Sequence, residues 1–176
     1  MFQNTKLLII ACLFIITLGF GFVGYSTWEE SKPTSQVNGI EGERAYVEKV
    51  VDGDTLILAD SRTVRFVGID TPETVDPKRP VGCFGKEASN ETKSLLSKKQ
   101  VILQKDVSDK DKYGRLLRLI FLPLPGGQAL FVNDYLVREG FARVLTYPPD
   151  IKYNEKLRRA EEEAKRLKRG LWGNCS

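Results

Sequence analysis

The sequence of 176 residues contains no histidine at all. That absence removes the Ser-His-Asp hydrolases, the His-ligated zinc enzymes and any imidazole acid or base. Any catalysis must then rest on carboxylates, Lys, Arg, Tyr or Cys. Cysteine is scarce too: Cys12, Cys83 and Cys175 are too few for a disulfide scaffold and lack the C-x-x-C spacing of a zinc site. Charge of one sign is not in excess. The 27 Lys and Arg against 23 Asp and Glu leave +4, which permits a polyanionic partner without demonstrating one. With 41% hydrophobic and 28% charged residues the chain is suited to one folded domain of ordinary size.

The single long apolar run lies at the start. After Lys6, residues 7–23 are interrupted only by Thr17 and glycines, and at about 1.5 Å per residue they span roughly 26 Å as a helix. That exceeds the apolar region of an ordinary signal peptide, and Tyr25 and Trp28 follow where interfacial aromatics sit. The expectation is a signal anchor over 1–28, with a cleaved signal and a secreted product as the alternative. Lys6 on one side and Glu29 and Glu30 on the other orient the remainder outside the cytoplasm. Residues 29–42 read as a flexible tether of Pro, Ser, Gln, Asn and Gly, and 43–176 as the folded unit.

Within that unit, 45–51, 55–59 and 63–69 are β-rich runs separated by Asp-Gly and Asp-Ser turn signals, the pattern of a three-strand meander. Residues 86–98 have helical spacing, and 101–104 and 116–122 return to strand character. Asn133 suits the N-cap of a helix that Gly140 ends, and 155–168 form a longer charged helix closed by Gly170. The expected architecture is an α+β one, a five-stranded OB-fold barrel with three helices.

Four acids and an arginine crowd into a short stretch. Val51-Asp52-Gly53-Asp54-Thr55 reads as a hairpin in which Asp-Gly supplies positive φ, but a hairpin does not require the second carboxylate. Arg65 interrupts an otherwise apolar strand, where a guanidinium is costly unless paired. It either forms a structural ion pair or aims its donor fork at a phosphate. Asp70-Thr71-Pro72-Glu73 leaves the same strand on a turn stiffened by Pro72, and taken alone it is a capping or Asx turn. Together these groups can line a hard-cation site with a phosphate clamp beside it, leaving Glu73 to take a proton from water. Asp111-Lys112-Tyr113-Gly114-Arg115 adds an aromatic and two cations suited to phosphate and base contacts, although such loops are often only solvated charge. The same holds for 152–169, which carry a net +4.

In this order and at these separations, the motifs resemble the staphylococcal nuclease (thermonuclease) family. The likeness runs over 45–172 and includes Gly85-x-Glu87-Ala88, Val137-Arg138-Glu139-Gly140 and Gly170-Leu171-Trp172. It implies an OB-fold barrel and calcium-dependent hydrolysis of DNA and RNA phosphodiesters that leaves 3'-phosphate ends. It also implies that Asp54 and Asp70 hold Ca2+ with their side chains and Thr71 with its carbonyl, with Asp52 behind them. Glu73 takes the place of the general base, Arg65 and Arg115 those of the phosphate-clamping arginines, and Lys112 and Tyr113 those of nucleotide contacts. The family's base-stacking tyrosine falls by ungapped counting on Thr146, one position before Tyr147, which is the candidate here. Lys78 and Arg79 correspond to a basic loop beside the site, either substrate-contacting or merely solvated.

Cys83 and Cys175 are expected to pair in an oxidising exterior. The reading is therefore a monomeric, membrane-anchored or secreted nuclease acting outside the cytoplasm on single-stranded or frayed DNA and RNA. The rival is a noncatalytic OB-fold module that captures nucleic acid at the cell surface.

Overall fold

The computed structural model of the chain describes residues 39–74 and 80–175. The expected anchor, most of the expected tether, and Lys78 and Arg79 lie outside these residues. Among the described residues, no helix is long and apolar enough to cross a membrane.

Strand β1 (Glu43–Asp52) pairs antiparallel with two neighbours, using its first half for β5 (Gln100–Gln104) and its second half for β2 (Thr55–Leu58). Two register irregularities in the second half bend it from one neighbour to the other. Strand β3 (Thr63–Phe66) continues the meander antiparallel to β2, and β6 (Leu116–Pro123) pairs antiparallel with β5. A parallel pairing of β3 with β6 joins the two ends of this array. The five strands thus form a closed OB-like barrel, which has no open edge.

Alternation in β2 and β3 turns Leu56, Leu58, Val64 and Phe66 inward, where they meet Val47, Ile102 and Ile120 in a core shielded from water. Helix α1 (Gly85–Leu96) buries Ala88, Thr92 and Leu96. A short β7 (Ala129–Phe131) pairs with β6 and leads directly into α2 (Val132–Arg138). Helix α3 (Asn154–Arg166) buries only Leu157, Ala160 and Ala164, and α4 (Leu171–Asn174) is a single closing turn. The chain joins the core somewhat earlier than the expected boundary at 43, since Ile40 packs against it and Gln104 donates to the Glu41 carbonyl.

Two local expectations are corrected. The run 63–69 is not one strand: Gly68, at φ 79°, breaks it, and Ile69–Asp70 becomes β4, paired with β8 (Arg143–Val144) instead. Asn133 is not an N-cap. It lies inside α2, completely buried, where its side-chain oxygen accepts from Ile120 N–H and its amide donates to the Val67 carbonyl.

The charged face of α3 is paired in part. Glu163 bonds Arg138 and Arg169, and Lys165 bonds Glu161. Gly140 and Gly170 both adopt positive φ and approach each other so closely that a Cβ on either would lie within 2.3 Å of the other segment's backbone. Leu171 N–H donates to the Gly140 carbonyl at this crossing. Cys83 and Cys175 are joined by a disulfide that ties the segment before α1 to the end of α4.

Candidate active site

Barrel closure gathers the candidate residues. The β2–β3 register sets Thr55 opposite Arg65, which places Asp54 beside that strand, and Phe66 N–H donates to the Asp54 carbonyl. The β3–β6 register sets Arg65 opposite Leu117, so Arg115 enters β6 beside it. Three segments distant in sequence thereby meet at one end of the barrel.

Arg65 is the hub. Its Nη1 lies 2.9 Å from Asp54 Oδ2 and its Nη2 lies 2.8 Å from Asp70 Oδ1, so one guanidinium bridges both carboxylates. Nη1 also donates to the carbonyls of Phe66 and Ile69, spanning the break that Gly68 makes. The ion-pair reading of Arg65 is thus satisfied, and by the same acids that the cation-site reading requires. Asp54 is buried at 6% exposure. Its Oδ2 also accepts from Thr71 N–H and Oγ1, and its Oδ1 from Thr55 Oγ1. Burial is the largest influence on Asp54 and holds its carboxyl above the ordinary value of 3.8, although Arg65 and Thr71 N–H favour the charged form.

Asp52 supports the turn from behind. Its Oδ1 accepts from Gly53 N–H and from Thr74 Oγ1 at 2.6 Å, which ties the first acidic turn to the segment carrying Glu73. Burial again dominates and raises this carboxyl despite those two donors. Gly53 is not in positive φ, contrary to the hairpin expectation. It is glycine for space: a Cβ would lie 2.7 Å from the Thr71 hydroxyl. Thr92 of α1 donates to the Gly53 carbonyl at 2.7 Å, fixing the turn from a third direction. Glu73 is partly buried, its Oε1 accepts from Thr74 N–H, and its carbonyl accepts from Gly82 N–H.

Arg115 is held by Asp111, which accepts from its Nε at 2.6 Å and from its backbone N–H. Burial acts to raise the Asp111 carboxyl, but the bonds from Arg115 and from Tyr113 N–H outweigh it and hold the group below its usual range. Lys112 Nζ and the Arg115 guanidinium lie 5.0 and 5.6 Å from the Tyr113 ring centre. Arg65, Lys112, Tyr113, Arg115 and Tyr147 all line one cleft of 510 Å³. Tyr113 and Tyr147 are 73% and 75% exposed, so two aromatic faces stand ready beside two guanidiniums.

Three supporting groups escape a reading by motif. Thr74 and Thr92 act only through contacts made across the fold. Asp150, at 6% exposure on the cleft wall, accepts from Val107 and Ser108 N–H, and only its place beside a Pro-Pro pair set it apart in the sequence.

The donor set suits a hard cation. Asp54 and Asp70 offer carboxylate oxygens and Thr71 a carbonyl, with no imidazole or thiolate among them. Among the described residues, no three His, Cys, Asp or Glu side chains cluster around one point. Two carboxylates and a carbonyl would supply only part of the roughly 6–8 oxygens that a calcium-sized cation takes, and the rest would fall to water and substrate.

The profile of the family described as "Staphylococcal nuclease homologue" matches residues 63–174. A thermonuclease of Staphylococcus hyicus is 40% identical over 171 residues, covering 95% of this chain and 96% of that protein. A thermonuclease of Staphylococcus intermedius is 42% identical over 136 residues, covering 76% and 78%. The endonuclease YncB of Bacillus subtilis (strain 168) is 37% identical over 131 residues, covering 72% of this chain and 60% of its own. The barrel, the carboxylates bridged by one arginine and these matches agree: the chain belongs to the staphylococcal nuclease family.

Proposed function

We propose that the protein is a calcium-dependent endonuclease that hydrolyses DNA and RNA phosphodiesters with little sequence preference and leaves 3'-phosphate ends. One observation carries the proposal. The Arg65 guanidinium bridges Asp54 and Asp70 and shares a cleft with Arg115, so acidic oxygens for a cation adjoin two donor forks for a phosphate.

Calcium, held by Asp54, Asp70 and the Thr71 carbonyl, would supply positive charge against the charge that accumulates on the phosphoryl oxygens. Arg65 and Arg115 supply the rest. Each guanidinium is held in place by aspartate, Arg65 by Asp54 and Asp70 and Arg115 by Asp111, and has five N–H donors from which a phosphate can draw. One preorganised donor is typically worth about 2.7 to 4 kcal/mol of barrier. Glu73 takes the proton from the attacking water, a role that a carboxylate can fill in a chain without histidine. Tyr113 and Tyr147 offer π-faces to bases of any identity, which favours single-stranded or frayed substrates and low sequence preference. Asp52 orients the acidic turn without touching substrate.

We further propose that the enzyme works outside the cytoplasm, anchored by residues 1–28 or secreted after their removal. The apolar run and a disulfide suited to oxidising surroundings support this location. All of the named residues come from one chain, so a monomer suffices.

The test is to mix the protein from Gly39 onward with single-stranded DNA in calcium or in chelator. Cleavage is expected in calcium alone. Binding without cleavage under both conditions would identify a capture module instead.

A further inference from the structure

On the proposed function, a backbone phosphate seated against Arg65 would carry nucleic-acid chain on both sides, and the tyrosine-lined cleft offers room for one of them. That cleft is lined by Ile69 but not by Asp70. A second cavity of 260 Å³, which shares no lining residue with it, is lined by Asp70, Thr71, Pro72 and the Cys83–Cys175 disulfide. Among the described residues, the one cation on its lining is Arg143. The β4–β8 register sets Arg143 directly opposite Asp70. Side chains opposed in this way share a face, with Cβ atoms about 4.5–5.5 Å apart.

Arg143 differs from the two clamp arginines in how it is held. Arg65 and Arg115 are each tied to aspartate, whereas Arg143 is exposed and forms no ion pair with any described residue. Its guanidinium instead lies 5.3 Å from the centre of the Trp172 ring, which Lys165 also approaches at 4.5 Å. Stacking on a ring steadies a guanidinium while leaving its donor edge free, which is the state suited to a phosphate. The adjacent carboxylate does not forbid an anion there, because Asp70 already shares its charge with Arg65.

We propose that Arg143 and the cavity beneath it form a phosphate subsite, which grips the nucleic-acid backbone one phosphate beyond the bond that is cut, on the side of Asp70 away from the tyrosines. This rests on the nuclease reading and extends it. The substrate is then a strand running continuously past the site, gripped on both flanks, which is what cutting within a chain requires.

The experiment compares a dinucleotide with trinucleotides extended at one end or the other, using the full chain. Within each protein, the quantity read is the ratio of kcat/KM for the extended substrate to that for the dinucleotide. Arg143→Gln is expected to lower this ratio about tenfold, through KM, for one end only, and Arg143→Lys to restore at least part of it. Both ratios surviving in Arg143→Gln, or both falling together, would overturn the subsite. A second measurement does not depend on cleavage: the salt dependence of oligonucleotide binding in chelator. Loss of one phosphate contact is expected to reduce the log–log slope by about 0.7, and an unchanged slope overturns the subsite. A wild-type protein that binds but never cuts refutes the nuclease reading, while the slope still decides the subsite.

Discussion

Arg65 illustrates how one side chain meets two demands. A guanidinium at 14% side-chain exposure needs carboxylates nearby, and the carboxylates it recruits are the oxygens that suit a cation. An ion pair and a functional site are therefore not competing descriptions of this residue. Glu73 lies partly buried on the segment that follows, with its Oε1 accepting from Thr74 N–H, and the proposed function gives it the role of base. Glu73→Gln is accordingly expected to lower kcat by about 10² to 10⁴ while nucleotide affinity survives in an equilibrium binding assay. Unchanged turnover would remove Glu73 from the role. These residues stood out in sequence through their order and separations taken together, since each motif alone also reads as a turn or a cap. The tie from Thr74 to Asp52 across 22 positions was not, since a threonine carries no signal of what it will meet.

At the scale of elements, the strands declared themselves better than their ends did. The period of two in β2 and β3 followed from one buried and one open face. The end of β3 was missed because 63–69 remain apolar through Gly68, and only the paths of β6 and β8 show where the pairing changes. Asn133 was misread for a related reason. A residue with good capping chemistry is also a good bridge, and burial decided for the bridge between β6 and the β3–β4 turn. Asn133→Ala would strip partners from two buried backbone groups, at about 1–3 kcal/mol each. Denaturant unfolding should show a drop of that order, and a loss under 1 kcal/mol would assign the bridge no weight. Gly140 and Gly170 were expected only as helix stops. Their mutual contact makes each a condition for the other.

For the molecule as a whole, stability should depend on the covalent tie and on buried acids. The disulfide closes a separation of 92 residues, and removing such a link typically costs about 2–4 kcal/mol. A reductant should therefore shift the denaturant midpoint down, and an unchanged midpoint would show that the link adds nothing. Asp150 provides a pH signature. Burial acts to raise its carboxyl, but bonds from Ser108 and from Val107 N–H outweigh it, leaving the group below its ordinary 3.8 in the folded state. The folded protein thus binds the Asp150 proton less readily than the unfolded chain, so its contribution is present above 3.8 and is lost as pH falls through the lowered value. Asp150→Asn should be less stable than wild type near neutral pH by about 1.5–3 kcal/mol. The gap should close in unfolding curves recorded well below 3.8, and a gap independent of pH would exclude the charge as its source.

Sequence by itself determined the membership of the barrel and the chemistry available to it. Inward alternation depends only on which residues avoid water, and the absence of histidine depends only on composition. Tertiary structure alone decided which acids share an arginine, that Gly53 is needed for room beside Thr71, and that Arg143 stands across from Asp70. Each is a contact between segments brought together by barrel closure or by the β4–β8 pairing. Contacts of that kind follow from strand register, which no local pattern of residues encodes.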